Sequence, residues 1–251
     1  MMKHLNEITM KTLKTTLCAL TLATSLFAMQ SCTDGDDSMD LYRPTALVTV
    51  RPLSDGDFVL QLDESTVLNP VNLEKSPFGD KEVRALVNYT ETSARGASRD
   101  VHINWIDSIR TKMPVPDLGD ENDERYGNDP IEIVKDWVTI AEDGYLTLRI
   151  RTEWGSGHTK HYINLLSGVN PDNPYEFELR HDANDDMGGN QGDALIAFNL
   201  NDLPREDGQE VTIKLNWKSF DGRKSAEFSL NFRESQQIGD AEKIAYNRLV
   251  K

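Results

Sequence analysis

VTIKLNWKSFDGRKSAEFSLNF, residues Val211–Phe232, alternates apolar and polar side chains on both sides of an Asp221–Gly222 turn. Val211, Ile213, Leu215 and Trp217 lead in; Ala226, Phe228, Leu230 and Phe232 lead out. A period of two marks a strand with one buried face, and an Asp-Gly pair supplies the positive φ of a tight hairpin turn. Both arms therefore bury every second residue against one core. Upstream, strands are expected over Asp136–Ile140 and, after a Glu142–Asp143–Gly144 turn, over Tyr145–Trp154, then over His158–Leu166, over Tyr175–Leu179, and over Leu195–Leu200, which pairs across the polar loop His181–Asp193. Six or seven short antiparallel strands with frequent turns predict an all-β second domain, an immunoglobulin-like β-sandwich over residues 131–233.

Farther upstream the same period gives five short strands. Ala46, Val48 and Val50 face one way, with Thr45, Thr49 and Arg51 on the polar face. Phe58, Leu60 and Leu62 return after the turn Ser54–Asp57. Val67–Val71, then Val83, Ala85, Val87 and Tyr89, then Val101, Ile103 and Trp105 complete the set. Five strands in so short a span suit an OB-like five-stranded β-barrel over residues 41–116. Residues 117–130, polar, acidic and closed by Pro130, read as a linker; residues 234–251 are a C-terminal tail outside both patterns.

The N-terminus reads as an address. Lys11 and Lys14 precede an apolar run, Leu17–Met29, that is too short for a bilayer span of roughly 20 residues. It ends at Ser31–Cys32, which resembles a bacterial lipobox although Met29 and Gln30 depart from it. Residues 1–31 are then a lipoprotein signal peptide, with Met10 the better start, and Cys32 is the lipidation site. Residues 32–40, with Asp34, Asp36 and Asp37, form an acidic tether. This places the protein at the cell outer membrane, with the membrane engaged through the lipid.

The chain of 251 residues carries a formal charge of −15; residues 1–31 contribute three lysines against one glutamate, so the part from Cys32 onward carries −17. Such an acidic chain is unsuited to neutralising phosphates, and nucleic acid is excluded as a partner. The two cysteines, Cys18 and Cys32, leave no disulfide in the mature chain, so stability must come from burial.

Gly79–Asp80–Lys81–Glu82–Val83–Arg84–Ala85–Leu86–Val87–Asn88–Tyr89 and Asn104–Trp105–Ile106–Asp107 resemble the N-terminal domain of NigD-like proteins. Asp117–Leu118–Gly119 and Asp136–Trp137–Val138–Thr139 resemble the junction of that family. Asp143–Gly144–Tyr145–Leu146–Thr147–Leu148–Arg149, Asn173–Pro174–Tyr175 and Arg180–His181–Asp182–Ala183–Asn184 resemble its C-terminal domain. The resemblance spans about residues 41–235. It implies a Bacteroidetes lipoprotein with an OB-type barrel followed by a β-sandwich, and a link to bacteriocin immunity. It assigns no catalytic residues.

Two local patterns carry chemistry. Asp182, Asn184, Asp186 and Asp193 fall at positions one, three, five and twelve of a loop, as in a calcium site of EF-hand type. Met187 stands where that loop needs glycine, and the flanks are strands. Calcium is the one cofactor suggested. Trp154, at a turn, and Trp137 are candidates for a glycan-stacking platform. His158 and His161 stand three apart on a strand and point to opposite faces, so they share no zinc. Gly155–Ser156–Gly157 lacks the spacing of a hydrolase nucleophile. The sequence thus predicts a non-enzymatic, lipid-anchored protein-interaction module of immunity type, with a surface glycan-binding accessory lipoprotein as the alternative. An exposed tryptophan in a groove with paired carboxylates would favour the alternative.

Overall fold

The structure, a computed structural model, describes residues 43–53, 56–205 and 210–233. Cys32, the tether and the tail after Arg233 lie outside the described residues. All of the architecture below belongs to the compact unit that begins at Leu41.

Strands β1 (Ala46–Pro52), β2 (Phe58–Gln61), β3 (Val67–Pro70), β4 (Val83–Arg95) and β5 (Ser98–Ser108) close into a barrel in the order β1-β2-β3-β5-β4. The expected five-stranded barrel is therefore present. Every pairing is antiparallel except β3 with β5. Ala46, Val48, Val50, Leu60, Leu68, Ala85, Val87 and Val101 fill its interior.

One expectation fails in an informative way. The face of β1 that reads as polar is not solvated: Thr49 is 0% and Arg51 2% exposed. The sandwich lies against it, so β1 is buried on both sides. Leu47 packs there with Ile109 and Ala197, and Arg84 of β4 reaches Thr49 and Glu142.

The second domain is a sandwich of two five-stranded sheets. One has the order β6 (Arg110–Lys112), β13 (Asn190–Asn199), β10 (Tyr145–Trp154), β8 (Glu132–Val134), with β9 (Ile140–Glu142) also on β10. The other runs β15 (Gly222–Leu230), β14 (Val211–Ser219), β12 (Glu176–Asp182), β11 (Tyr162–Ser167), β7 (Val115–Pro116). Leu146, Leu148, Ile150, Phe177, Leu179, Phe198, Ile213 and Leu215 fill the space between them. The terminal hairpin forms as its periodicity requires, with Ile213 opposite Phe228 and Leu215 opposite Ala226.

Four features differ from the sequence expectation. The sheets are mixed rather than antiparallel: β12 with β14, β13 with β6 and β11 with β7 run parallel. Leu195–Leu200 does not pair across its loop with Tyr175–Leu179. β13 lies on β10, and β12 lies in the other sheet, so the loop is a crossover between layers. Residues 110–116, assigned to the barrel by composition, supply an edge strand to each sandwich sheet. The segment 117–130 is no plain linker: a 3₁₀ turn (Gly119–Glu121) leads into a short helix, Asn122–Tyr126, whose Tyr126 is buried.

Candidate binding site

Segment Lys135–Thr139, between β8 and β9, is the centre of the site; the strand expected over Asp136–Ile140 is confined to Ile140, where β9 begins. Asp136 Oδ1 accepts the backbone N–H of Trp137, Thr139 Oγ1 donates to the Val134 carbonyl, and Val138 is buried. These anchors turn the Trp137 side chain outward, and 51% of the residue is exposed. A large indole held in solvent is an unusual use of its apolar area.

Two depressions flank Trp137 at the barrel–sandwich junction. One, of about 350 Å³, is walled by Pro44 and Leu86 of the barrel and by Asp136, Arg149 and Asp193 of the sandwich. The other, of about 310 Å³, lies between Thr45, Leu62 and Asp63 on one side and Ile140 and Glu142 on the other. A third opening, of about 690 Å³, begins at Asp136 and runs between β8 and β15.

The polar wall beside Trp137 is a charge ladder. Arg149 Nη1 pairs with Asp136, and Arg149 Nη2 with Asp193 Oδ2 at 2.8 Å. Arg151 Nε reaches Asp193 Oδ1 at 2.6 Å. The β10–β13 register that sets Arg151 opposite Asp193 makes this possible. The hydrogen bond from Arg151 holds the Asp193 carboxyl below its ordinary range; Arg149 does the same for Asp136. Both arginines remain about 40% exposed as side chains, so donors face solvent beside the indole.

The structure separates the two tryptophans considered together in the sequence. Trp154 is no platform: it stacks on His161 at 4.0 Å, with ring planes 19° apart, and lies over Gly192. The four calcium-type residues are not gathered either. Asp193 is engaged by Arg149 and Arg151, and Asp182 Oδ1 accepts the Asn184 N–H at 2.9 Å. The Asn184 side chain donates to the Lys160 carbonyl, and Asp186 Oδ1 accepts the Ser156 N–H. Among the described residues no cluster of three His, Cys, Asp or Glu is placed to hold a metal ion.

Sequence spacing gives His161 no partner, because the residue it meets is distant in the chain. His161 Nδ1 lies 2.9 Å from His181 Nε2, and His181 Nδ1 lies 3.0 Å from the Pro130 carbonyl. A carbonyl only accepts, so Nδ1 of neutral His181 carries the hydrogen and its Nε2 accepts from His161. Burial lowers the His181 pKa, opposed by the Pro130 bond and aided by the nearby His161. The unfolded chain therefore takes up a proton that the folded chain refuses. Stability is complete above the unfolded pKa of about 6.5 and falls as pH drops through it, by at most about 1.4 kcal/mol per pH unit. Urea titrations of parent and His181→Gln between pH 7.5 and 5.5 should show the steeper loss in the parent. Equal slopes would remove His181 as its source.

No helix among the described residues is long and apolar enough to cross a membrane. Residues 47–109 match the family described as the NigD-like N-terminal OB domain, and residues 113–230 the NigD-like C-terminal beta sandwich domain. A solved structure from Parabacteroides distasonis, named as toxin-related, is 32% identical over 78% of this chain and 96% of its own, with a TM-score of 0.62. A NigD-like immunity protein from Bacteroides caccae is 23% identical over 72% and 90%, with a TM-score of 0.53. A protein of Bacteroides fragilis named as a lipoprotein is 13% identical over 76% and 98%, also with a TM-score of 0.53. These last two show the fold alone. No curated protein matches the chain.

Proposed function

Because the chain belongs to the NigD-like family, we propose that it is a non-enzymatic binding protein of the cell envelope, and that the Trp137 face takes a saccharide. The observation that carries this reading is the exposed indole of Trp137 between two junction depressions, beside the Asp136–Arg149–Asp193–Arg151 ladder. An indole face stacks on the apolar face of a pyranose, while carboxylates and guanidinium groups exchange hydrogen bonds with its hydroxyls. The ladder already orders those polar groups, so little rotamer freedom remains to be lost on binding.

Native gels cast with bacterial or host polysaccharides test this directly. The parent should be retarded by at least one of them and Trp137→Ala by none, with melting unchanged because the side chain supports no core. A parent that runs freely in all of them removes the saccharide reading. It would leave the second reading, a protein partner of the immunity kind. That reading is favoured by the toxin-related name of the 32% identical structure.

The anchor belongs to the same proposal. Cys32 carries the lipid, and the acidic residues after it hold the two domains off the outer membrane. A Cys32→Ala form should leave the membrane fraction. If it sediments with membranes as the parent does, the anchor is elsewhere.

A further inference from the structure

The four outer edges of the sandwich sheets are not alike. Three end in strands of two or three residues: β6, β7 and β8. Short edge strands are a common protection against unwanted strand pairing. The fourth edge is β15, nine residues long, without proline and with an unbroken register to β14.

The inner face of β15 is also under-covered. Its neighbour β14 buries Ile213, Leu215 and Trp217. The residues opposite them on β15, Phe228, Ala226 and Lys224, are only half-buried. Ser225, Ala226, Glu227 and Phe228 all line the opening toward β8. Consecutive strand residues point to alternate faces, so an opening lined by four in a row looks onto the strand's edge and its backbone.

We propose that β15 is the docking edge for a second copy of this chain, the two strands pairing antiparallel about a two-fold axis at Ser225. The charges single out this occupant and this register. A two-fold axis perpendicular to the sheet sets Ser225 opposite its own copy and Arg223 opposite Glu227, twice, on the outer face. Arg223 is 68% exposed as a side chain and holds only a surface contact with Glu178 at 3.2 Å, which exchanges readily. Glu227 is exposed and makes no ion pair among the described residues. On the inner face Lys224 falls opposite Ala226 of the copy while its ammonium stays on Glu132 at 2.7 Å. A shift of register by one residue would set inner-face against outer-face side chains, so the pairing is specified.

Engineered cysteines test the edge in the full-length protein in its membrane. Directly opposed strand residues have Cα atoms about 4.5–5.5 Å apart, within reach of a disulfide. Ser225→Cys should therefore give a disulfide-linked dimer on non-reducing gels under mild oxidation. Ser229→Cys is equally exposed, but its copy lies eight residues away along the strand, about 26 Å, and should give little. On the Ser225→Cys background, Arg223→Glu should lower the dimer at least about fivefold, and adding Glu227→Arg should restore it. Equal cross-linking at positions 225 and 229, indifference to Arg223→Glu, or linkage of position 225 to a different polypeptide would each overturn the proposal.

Discussion

Arg84→Ala, at the barrel–sandwich junction, is expected to destabilise the fold by about 3–5 kcal/mol. The side chain is fully buried. Its Nη2 reaches Glu142 Oε1 at 2.5 Å and its Nη1 donates to Thr49 Oγ1 at 2.8 Å. Tyr145 lies under the guanidinium at 5.7 Å. Burial pushes the Glu142 pKa up, and Arg84 is the main opposing influence. Truncation leaves that carboxylate buried without its counter-charge, at the centre of the contact between the two domains. The cost arises from the orphaned partner, so Arg84→Met with Glu142→Leu should recover most of it. Urea titrations of the single and double variants measure this. A single-variant loss below about 1 kcal/mol would show the pair to be dispensable.

Asp143→Ala should cost a similar amount, about 3–5 kcal/mol, by two routes. Asp143 is fully buried and accepts two hydrogen bonds from Arg233, at 2.7 and 2.6 Å. Although burial disfavours the cation, Asp143 and Glu82 hold the Arg233 pKa above its ordinary value. Asp143 also takes a positive φ of 52°, followed by Gly144 at 77°, in the turn between β9 and β10. Alanine pays roughly 1–2 kcal/mol for that conformation, whereas asparagine tolerates it. Asp143→Asn therefore isolates the ion pair and should fall between parent and alanine. If Asp143→Asn melts with the parent, the Arg233 contact contributes nothing.

The two variants mark where sequence pattern stops being informative. The Asp143–Gly144 turn is legible because both residues are local and the backbone demand is specific. Arg233, ninety residues away, leaves no local trace. Arg84 is harder still. Its place in the alternation puts it outside the barrel, and the outside of a barrel is ordinarily wet; only a second domain lying there makes it interior. Thr49 and Arg51 are buried for the same reason. The five barrel strands and the terminal hairpin were readable because each buries one face in its own domain. Strands of two or three residues, such as Val115–Pro116, carry too few residues to show any period.

The site divides in the same way. Trp137 and Trp154 both stand beside polar or turn residues, and nothing local distinguishes them. Trp154 is taken inward by His161, which lies just before the next strand, while Trp137 has its backbone tied down and its ring left free. The oxygen-bearing loop residues matched a ligand spacing, yet spacing does not report prior commitments. Asp193 sits on a strand facing two arginines of β10.

The placement of β1 has a mechanical consequence. Chain N-terminal to Arg43 feeds into β1, so any pull on the N-terminus loads this strand first. β1 is hydrogen-bonded to β2 along one side and to β4 along the other. One face is packed into the barrel and the other is pressed against the sandwich. The strand cannot peel away one bond at a time from a free edge, because it has none. Tension along it must shear two ladders and open the domain contact together.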